Sequence, residues 1–331
     1  MEKSLHPYQA PDTTLWTGRS SGRELYLHEK IQGVDLSTSL ESTSFERSFG
    51  ILGYACDEGV RRNLGRTGAT QGPDEIRKQL GKLPNHLPLA IRVFDAGNVH
   101  CMAQDLEQAQ QLLAEKVSFL LQQGTFPILL GGGHDMAYGH YCGIQKHLQK
   151  GIQPKRLGII NFDAHFDLRP LLDSCNSGTP FYQISEDCKQ QGLPFQYCCL
   201  GIREDANDAD LFLTARQLGV HYILNEDFTP RHFEHLQEKL SFFMQQVDHL
   251  YVTVDLDGFS SAYAPGSSAA SPMGFSPTTV LEVLKWIMDS QKLISLDIAE
   301  YNPIYDRDHQ TAKLAAALIH KVLHEQTRVS P

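Results

Sequence analysis

Three short segments set carboxylates and imidazoles at intervals that suit metal chemistry. In LGIINFDAHFDLR, residues 157–169, an apolar run leads directly into Asp163, His165 and Asp167. Extended backbone points residues i, i+2 and i+4 to one face, so this spacing predicts two carboxylates and an imidazole gathered at the carboxyl end of a strand. LYVTVDLDGFSS, residues 250–261, ends the same way in Asp255 and Asp257, and FPILLGGGHD, residues 126–135, ends in three glycines followed by His134 and Asp135. The glycines let backbone and ligand approach closely. One acidic residue after a strand commonly does no more than cap a helix, but these endings reinforce one another. Crowded without counter-charge, Asp163, Asp167, Asp255 and Asp257 would repel and raise one another's pKa, whereas two divalent ions would neutralise them. Carboxylate oxygens with a minority of imidazoles and no thiolate point to Mn(II) rather than structural zinc. A pair of such ions roughly 3.5 to 4 Å apart lowers the pKa of water between them toward neutrality and so generates a nucleophile.

These segments need elements that bring them to one place. Short apolar runs at 50–54, 92–95, 126–130, 157–161, 197–200, 220–224, 250–254 and 293–298 read as strands, several apolar on both faces as buried parallel strands are. Amphipathic stretches at 105–123, 136–149, 208–218, 230–246, 277–290 and 308–325 read as helices, with Thr229-Pro230 and Ser276-Pro277 in the order of N-cap then first helical residue. The alternation predicts an α/β fold with a mainly parallel sheet, whose strand carboxyl ends are where sites form. Residues 1–45 have weak periodicity and many Ser and Thr, and are expected to form an N-terminal arm or lid; residues 46–331 are expected to form a single catalytic domain.

Composition removes several classes of function. A formal net charge of −10 repels nucleic-acid phosphates and anionic lipid, and no apolar run approaches the length of a membrane span. The opening MEKSLHPYQA has no apolar stretch, so no secretory signal is expected and the chain is assigned to the cytoplasm. Seven cysteines without a CxxC pair fit scattered reduced thiols, with Cys198 and Cys199 in a strand.

GGGHD, NFDAHFD, VTVDLDGFSS and SLDIAEYNP together resemble the ureohydrolase family of arginases, agmatinases and formimidoylglutamases, over roughly residues 49–325. The resemblance implies a three-layer α/β/α arginase-like fold with a mainly parallel eight-stranded sheet, two Mn(II) ions per chain, a small-molecule substrate and a homo-oligomer. It places His134, Asp163, His165, Asp167, Asp255 and Asp257 on the metal-ligand positions, with bridging carboxylates among the aspartates. Glu300, in LDIAEYNP, falls on the acidic position that faces the guanidinium of arginase substrates, where a carboxylate would orient a cationic amidine.

One departure bears on the substrate. Where arginases and agmatinases carry a His before a Gly, NSGTPF places Ser177 before Gly178. NSGTPF, Arg169 after the metal run and GVRRNLGRTGATQGP at 59–73 resemble the formimidoylglutamase branch. N-formimidoyl-L-glutamate has two carboxylates that call for cations with bidentate geometry, and Arg169, Arg66 and Arg203 are the candidates, with Ser177 as a further substrate contact. The expected reaction is hydrolysis to L-glutamate and formamide in histidine degradation, with Asp257 passing a proton to the departing nitrogen. A hydrolase of another guanidino compound (guanidinobutyrase, guanidinopropionase or agmatinase type) and a metal-retaining scaffold without turnover are the alternatives.

Overall fold

The computed structural model describes residues 6–38, 45–151, 155–172 and 174–327. Its strands are β1 Tyr8–Gln9, β2 Gln32–Gly33, β3 Arg47–Ala55, β4 Ile91–His100, β5 Thr125–Gly131, β6 Leu157–Phe162, β7 Gln196–Ile202, β8 His221–Leu224, β9 His249–Asp255 and β10 Leu293–Ala299. All eight expected strands are present, and β1 and β2 are additional. The helices are α1 Leu27–Lys30, α2 Glu58–Arg62, α3 Gly72–Leu80, α4 Leu106–Gln122, α5 Met136–Leu148, α6 Pro180–Gln191, α7 Ala209–Gln217, α8 Phe233–Gln245, α9 Pro277–Asp289 and α10 Gln310–Glu325.

Alternate residues of the central strands feed two apolar layers, as the period of two requires. Ile128 and Leu130 of β5, Ile160 and Phe162 of β6, and Val252 and Val254 of β9 pack with α3, α8, α9 and α10. Leu129, Ile159 and Tyr251, each adjacent in sequence to one of these, face α4, α5, α6 and α7. The outcome is the expected three-layer α/β/α sandwich.

The sheet runs β1-β4-β3-β5-β10-β9-β6-β7-β8, with β2 also on β4. All pairings are parallel except β1 with β4. Strands β5 and β6 are consecutive among the long strands yet lie apart, because β10 and β9 return to fill the gap. Register aligns the four ends: Ile298 pairs with Leu130, Ala299 with Asp255, and Phe162 with Val254. A crevice at the carboxyl edge follows where the strand order reverses.

Within the described part of the first 45 residues, β1 and β2 pair with β4, Trp16 Nε1 donates to Asp95 Oδ2 at 2.8 Å, and α1 is bonded to the loop after α3 through Leu27 N–H to the Leu83 carbonyl at 3.0 Å. None of that part lines the cavity described below. Four helices were not expected: the short α1 and α2, and the longer α3 and α6. α3 opens on Gly72-Pro73, a turn signal in sequence, and its inward apolar residues are only Ile76 and Leu80; α6 buries Phe181, Ile184 and Cys188 among polar neighbours. The final helix starts at Gln310 rather than 308, because Asp308 and His309 adopt left-handed backbone. Cys198 and Cys199 lie in β7, and all seven cysteines are free.

Candidate metal centre and active site

The glycine run after β5 is dictated by close approach. Gly132 N–H donates to the Tyr54 carbonyl at 3.0 Å and Gly133 N–H to the Cys56 carbonyl at 2.9 Å. A Cβ on Gly132 would stand 2.1 Å from the Cys56 oxygen. The turn delivers His134 into the crevice, where its backbone N–H donates to Glu300 Oε1 at 2.8 Å.

The aspartates converge differently from the expectation of a strand face. β6 ends at Phe162, and the chain bends so that His165 N–H donates to Asp163 Oδ1 at 2.7 Å. Asp167 then takes left-handed backbone at φ 49°, a region that Asp tolerates better than most residues. After β9, a single 3-10 turn, Leu256–Gly258, lets Asp257 N–H donate to Asp255 Oδ1 at 2.8 Å. Asp255 is aimed by strand β9, whereas tight turns, not strand alternation, aim Asp167 and Asp257.

The result is two adjoining groups whose ligand atoms lie within 4.8 Å of one another: His134, Asp163, Asp167 and Asp255, and Asp163, His165 and Asp257. His134 Nδ1 stands 2.9 Å from Asp167 Oδ2, 3.0 Å from Asp255 Oδ2 and 3.3 Å from Asp163 Oδ2. The other oxygen of Asp163 is 3.3 Å from His165 Nδ1, which is also 3.3 Å from Asp257 Oδ1. Asp163 thus faces both groups, one oxygen to each. All six residues expected as ligands are brought together.

The donor set fits divalent cations. His134 Nδ1 and Asp257 Oδ1 are buried and make no hydrogen bond. The Thr253 hydroxyl donates to Asp297 Oδ1 at 2.5 Å and is 2.9 Å from His134 Nε2, so it accepts from that nitrogen and Nε2 carries the proton. The Nδ1 lone pair is then left facing three carboxylate oxygens, the orientation that a hydrogen-bonded metal-binding imidazole adopts.

The ionisation of the cluster is in conflict. Burial, with Asp257 and Asp163 nearby, pushes the Asp255 carboxyl well up; burial and then Asp163 raise Asp167. Asp257 also rises through burial, although His165 opposes the shift. Burial alone would lower the two imidazoles, but Asp163, Asp167 and Asp255 around His134, and Asp257 and Asp163 around His165, outweigh it and raise both. For Asp163 the balance goes the other way: burial raises it, yet His134 and His165 hold it below the ordinary carboxylate range. Burial, then Asp255, raises Glu300. Cations would replace these protons.

Above the cluster is a cavity of about 300 Å³ lined by Asn63, Arg66, His165, Asp167, Arg169, Ser177, Asp255, Asp257 and Glu300, among others. Arg169 and Ser177 reach it as expected. Arg66 also reaches it, but its guanidinium donates to the Ser268 carbonyl at 3.0 Å and the Ser267 carbonyl at 2.8 Å and lies 3.7 Å from the centre of the Tyr305 ring. Arg203 does not line it: its guanidinium is held by Asp205 at 2.9 and 2.6 Å, over a separate depression.

The sequence model of the arginase family matches residues 47–324. The chain belongs to the arginase family. Among arginase-family relatives, a formimidoylglutamase of Clostridium tetani is 40% identical over 96% of this chain and 95% of its own length, and one of Geobacillus thermodenitrificans is 42% identical over 98% and 99%. A solved formimidoylglutamase from Bacillus subtilis superposes with a TM-score of 0.80 at 21% identity, covering 95% of each chain, which bears on fold alone. A Trypanosoma cruzi formiminoglutamase solved with Mn²⁺ has a TM-score of 0.75 at 25% identity, over 87% of this chain and 97% of that one. The protein is therefore an enzyme, a hydrolase of the arginase family. Among its described residues, no helix is long and apolar enough to cross a membrane.

Two residues of this arginase-family site escaped the sequence. Thr253 is a polar residue in the apolar buried strand β9, on the same face as Asp255, and that singularity was its signal. Asn63 follows the short helix α2, far from every metal segment; it lies within the 59–73 stretch that resembles the formimidoylglutamase branch, and that stretch was its signal.

Proposed function

We propose that the protein hydrolyses N-formimidoyl-L-glutamate to L-glutamate and formamide with two Mn(II) ions per chain, as a step in histidine degradation, in the cytoplasm and as a homo-oligomer. The observation that carries this reading is the pairing of a shared acidic cluster at the strand ends with Arg169 at the cavity mouth. The identity of 40–42% to relatives named formimidoylglutamase supports the same substrate. His134, Asp167 and Asp255 would hold one ion, His165 and Asp257 the other, and Asp163 both. Bound there, the ions would supply Lewis acidity and water activated for attack at neutral pH.

The chain's own residues do the rest. Glu300, fixed through one oxygen by the His134 N–H, orients the formimidoyl nitrogens. Asp257, at the cavity wall, moves a proton to the glutamate nitrogen as the C–N bond to the formimidoyl carbon breaks. Water adds across that bond, so formamide and glutamate account for every atom. Arg169 and Ser177 hold carboxylate oxygens of the substrate.

The test is a substrate panel with Mn(II) supplied: formimidoylglutamate, agmatine, arginine and 4-guanidinobutyrate, assayed for formamide, urea and ammonia. Formamide and glutamate in equal amounts, at a kcat/KM exceeding that for every guanidine, are expected. Faster hydrolysis of a guanidine would replace the substrate assignment with one of the guanidino-compound hydrolases.

A further inference from the structure

At the cavity mouth one side-chain amide joins Arg169 to Ser177. Asn63 Oδ1 lies 2.7 Å from Arg169 Nη1, and Asn63 Nδ2 lies 3.0 Å from Ser177 Oγ. A guanidinium only donates, so the amide oxygen must face Arg169 and the amide N–H must face Ser177. The Ser177 oxygen therefore accepts from Asn63, and among the described residues its own proton is given to no partner. Arg169, for its part, pairs with no carboxylate among the described residues, unlike Arg203.

Backbone bonds hold the three residues in register. The Gly59 carbonyl accepts from the N–H of Asn63 at 3.0 Å and from that of Ser177 at 3.1 Å, while Arg169 N–H donates to the Gly178 carbonyl at 3.0 Å. Gly178 completes the packing: a Cβ there would stand 3.2 Å from Arg169 Cδ and 3.3 Å from Asn63 Nδ2. Two loops distant in sequence, the turn after α2 and the connection from β6 to α6, meet on one amide, at the rim of the cavity that Asp255, Asp257 and Glu300 also line.

We propose that Asn63 is the positioning residue that sets selectivity for a dicarboxylate over a cationic substrate. It fixes the Arg169 guanidinium at the mouth, and by filling a lone pair of Ser177 it leaves the hydroxyl proton for a substrate carboxylate. The inference rests on the functional reading above and adds to it a residue that acts only through two others. An acceptor-only group of the same shape would reverse both effects: Asn63→Asp neutralises Arg169, captures the Ser177 proton and sets a negative charge beside the anionic substrate.

The experiment compares Mn-loaded wild type, Asn63→Asp and Asn63→Ala by steady-state kinetics on formimidoylglutamate and by calorimetric titration with L-glutamate, with Mn content and melting temperature as controls. Loss of one charge-assisted bond raises KM and the glutamate Kd by about tenfold in Asn63→Ala, and the added repulsion raises them by about a hundredfold in Asn63→Asp, with kcat changed less than about threefold. Equal KM and Kd in all three proteins overturn the inference, as does a loss confined to kcat or wild type that binds no glutamate. If wild type prefers a guanidine yet binds glutamate through Asn63, the functional reading fails and the carboxylate subsite stands. If wild type turns over formimidoylglutamate with a KM indifferent to Asn63, the reverse holds. Should Asn63→Ala not fold, the isosteric Asn63→Asp decides.

Discussion

Thr253 Oγ1 lies 2.9 Å from His134 Nε2 and passes its own proton to Asp297, so one strand hydroxyl fixes the tautomer of the deepest imidazole in the site. Asp297 is itself held by Tyr251 and by His140 Nδ1 at 2.6 Å, all buried. The chain of bonds ends on a rigid β9–β10 pair, which gives the imidazole little freedom to turn. Outer partners of this type commonly affect metal affinity by about 10- to 100-fold. Thr253→Val, nearly the same volume without the hydroxyl, is expected to weaken Mn(II) binding by that factor, and Thr253→Ser to restore most of it. A metal titration followed by calorimetry checks this, and equal affinities in the three proteins would show that the hydroxyl has no role.

Asp163 offers one oxygen to each ligand group, so its removal differs from that of the other aspartates. Asp163→Ala is expected to bring metal content below one ion per chain and activity down by at least about a hundredfold. Asp257→Ala touches only one group and is expected to retain up to one ion. Elemental analysis after gel filtration separates the outcomes; two ions retained in Asp163→Ala would remove the metal assignment.

The eight long strands were legible because each is a run of apolar residues closed by a turn or an acidic residue, a signal that burial on both faces produces directly. β1 and β2 were not, since two residues carry no period and gain their pairing from an edge that only the folded sheet supplies. The ligand types were legible too, yet for an incomplete reason: Asp167 reaches the cluster through a left-handed turn that no alternation rule contains. Arg203 and Arg169 look alike in sequence. Asp205, two residues after Arg203, folds back on its guanidinium and takes it out of consideration, while Asn63 holds Arg169 at the mouth.

Chelation and pH are expected to act together. A histidine whose folded pKa is raised, as for His134 and His165, contributes stability that is fully present below the unfolded value of about 6.5 and lost as pH rises through the folded value. The chelated protein should therefore melt at lower temperature as pH is raised above about 6.5. With Mn(II) at about a hundred times Kd, each site adds about 2.7 kcal/mol, and because binding displaces protons this gain grows with pH. Melting curves from pH 6 to 9 with and without chelator should diverge; parallel curves would count against a buried site.

Gly132 offers a test of the loop that places His134. Its Cβ would lie 2.1 Å from the Cys56 carbonyl oxygen and 2.6 Å from that of Tyr54, and backbone cannot give way as a flexible side chain can. Gly132→Ala is expected to cost about 1 to 3 kcal/mol or more and to lower Mn(II) affinity, because relief of the clash displaces the turn before His134. Denaturant unfolding and a metal titration read the two effects; wild-type values in both would mean the turn has slack that its contacts do not suggest.

The sharpest contrast is between two arginines that the sequence could not distinguish. Arg169 lines the cavity, and its bonding partner among the side chains of the described residues is the neutral amide of Asn63, so its charge is available to a carboxylate. Arg203 lies outside the cavity and its charge is already met by Asp205. A charge-assisted hydrogen bond is worth roughly 1.5 to 3 kcal/mol, which converts to a factor of about ten or more in binding. Arg169→Ala should raise KM for formimidoylglutamate by at least that factor while Mn(II) content stays at the wild-type level, the signature of lost substrate binding. Arg203→Ala should change KM by less than about twofold. Arg66→Ala tests the middle case, since its guanidinium reaches the cavity but is bonded to two carbonyls and stacked on Tyr305; its expected effect falls on the stability of the 66–68 and 267–268 loops more than on KM. If Arg203→Ala raised KM and Arg169→Ala did not, the carboxylate subsite would have to lie beyond the Asp205 side of the crevice, and the acidic cluster would retain its chemistry with a different substrate orientation.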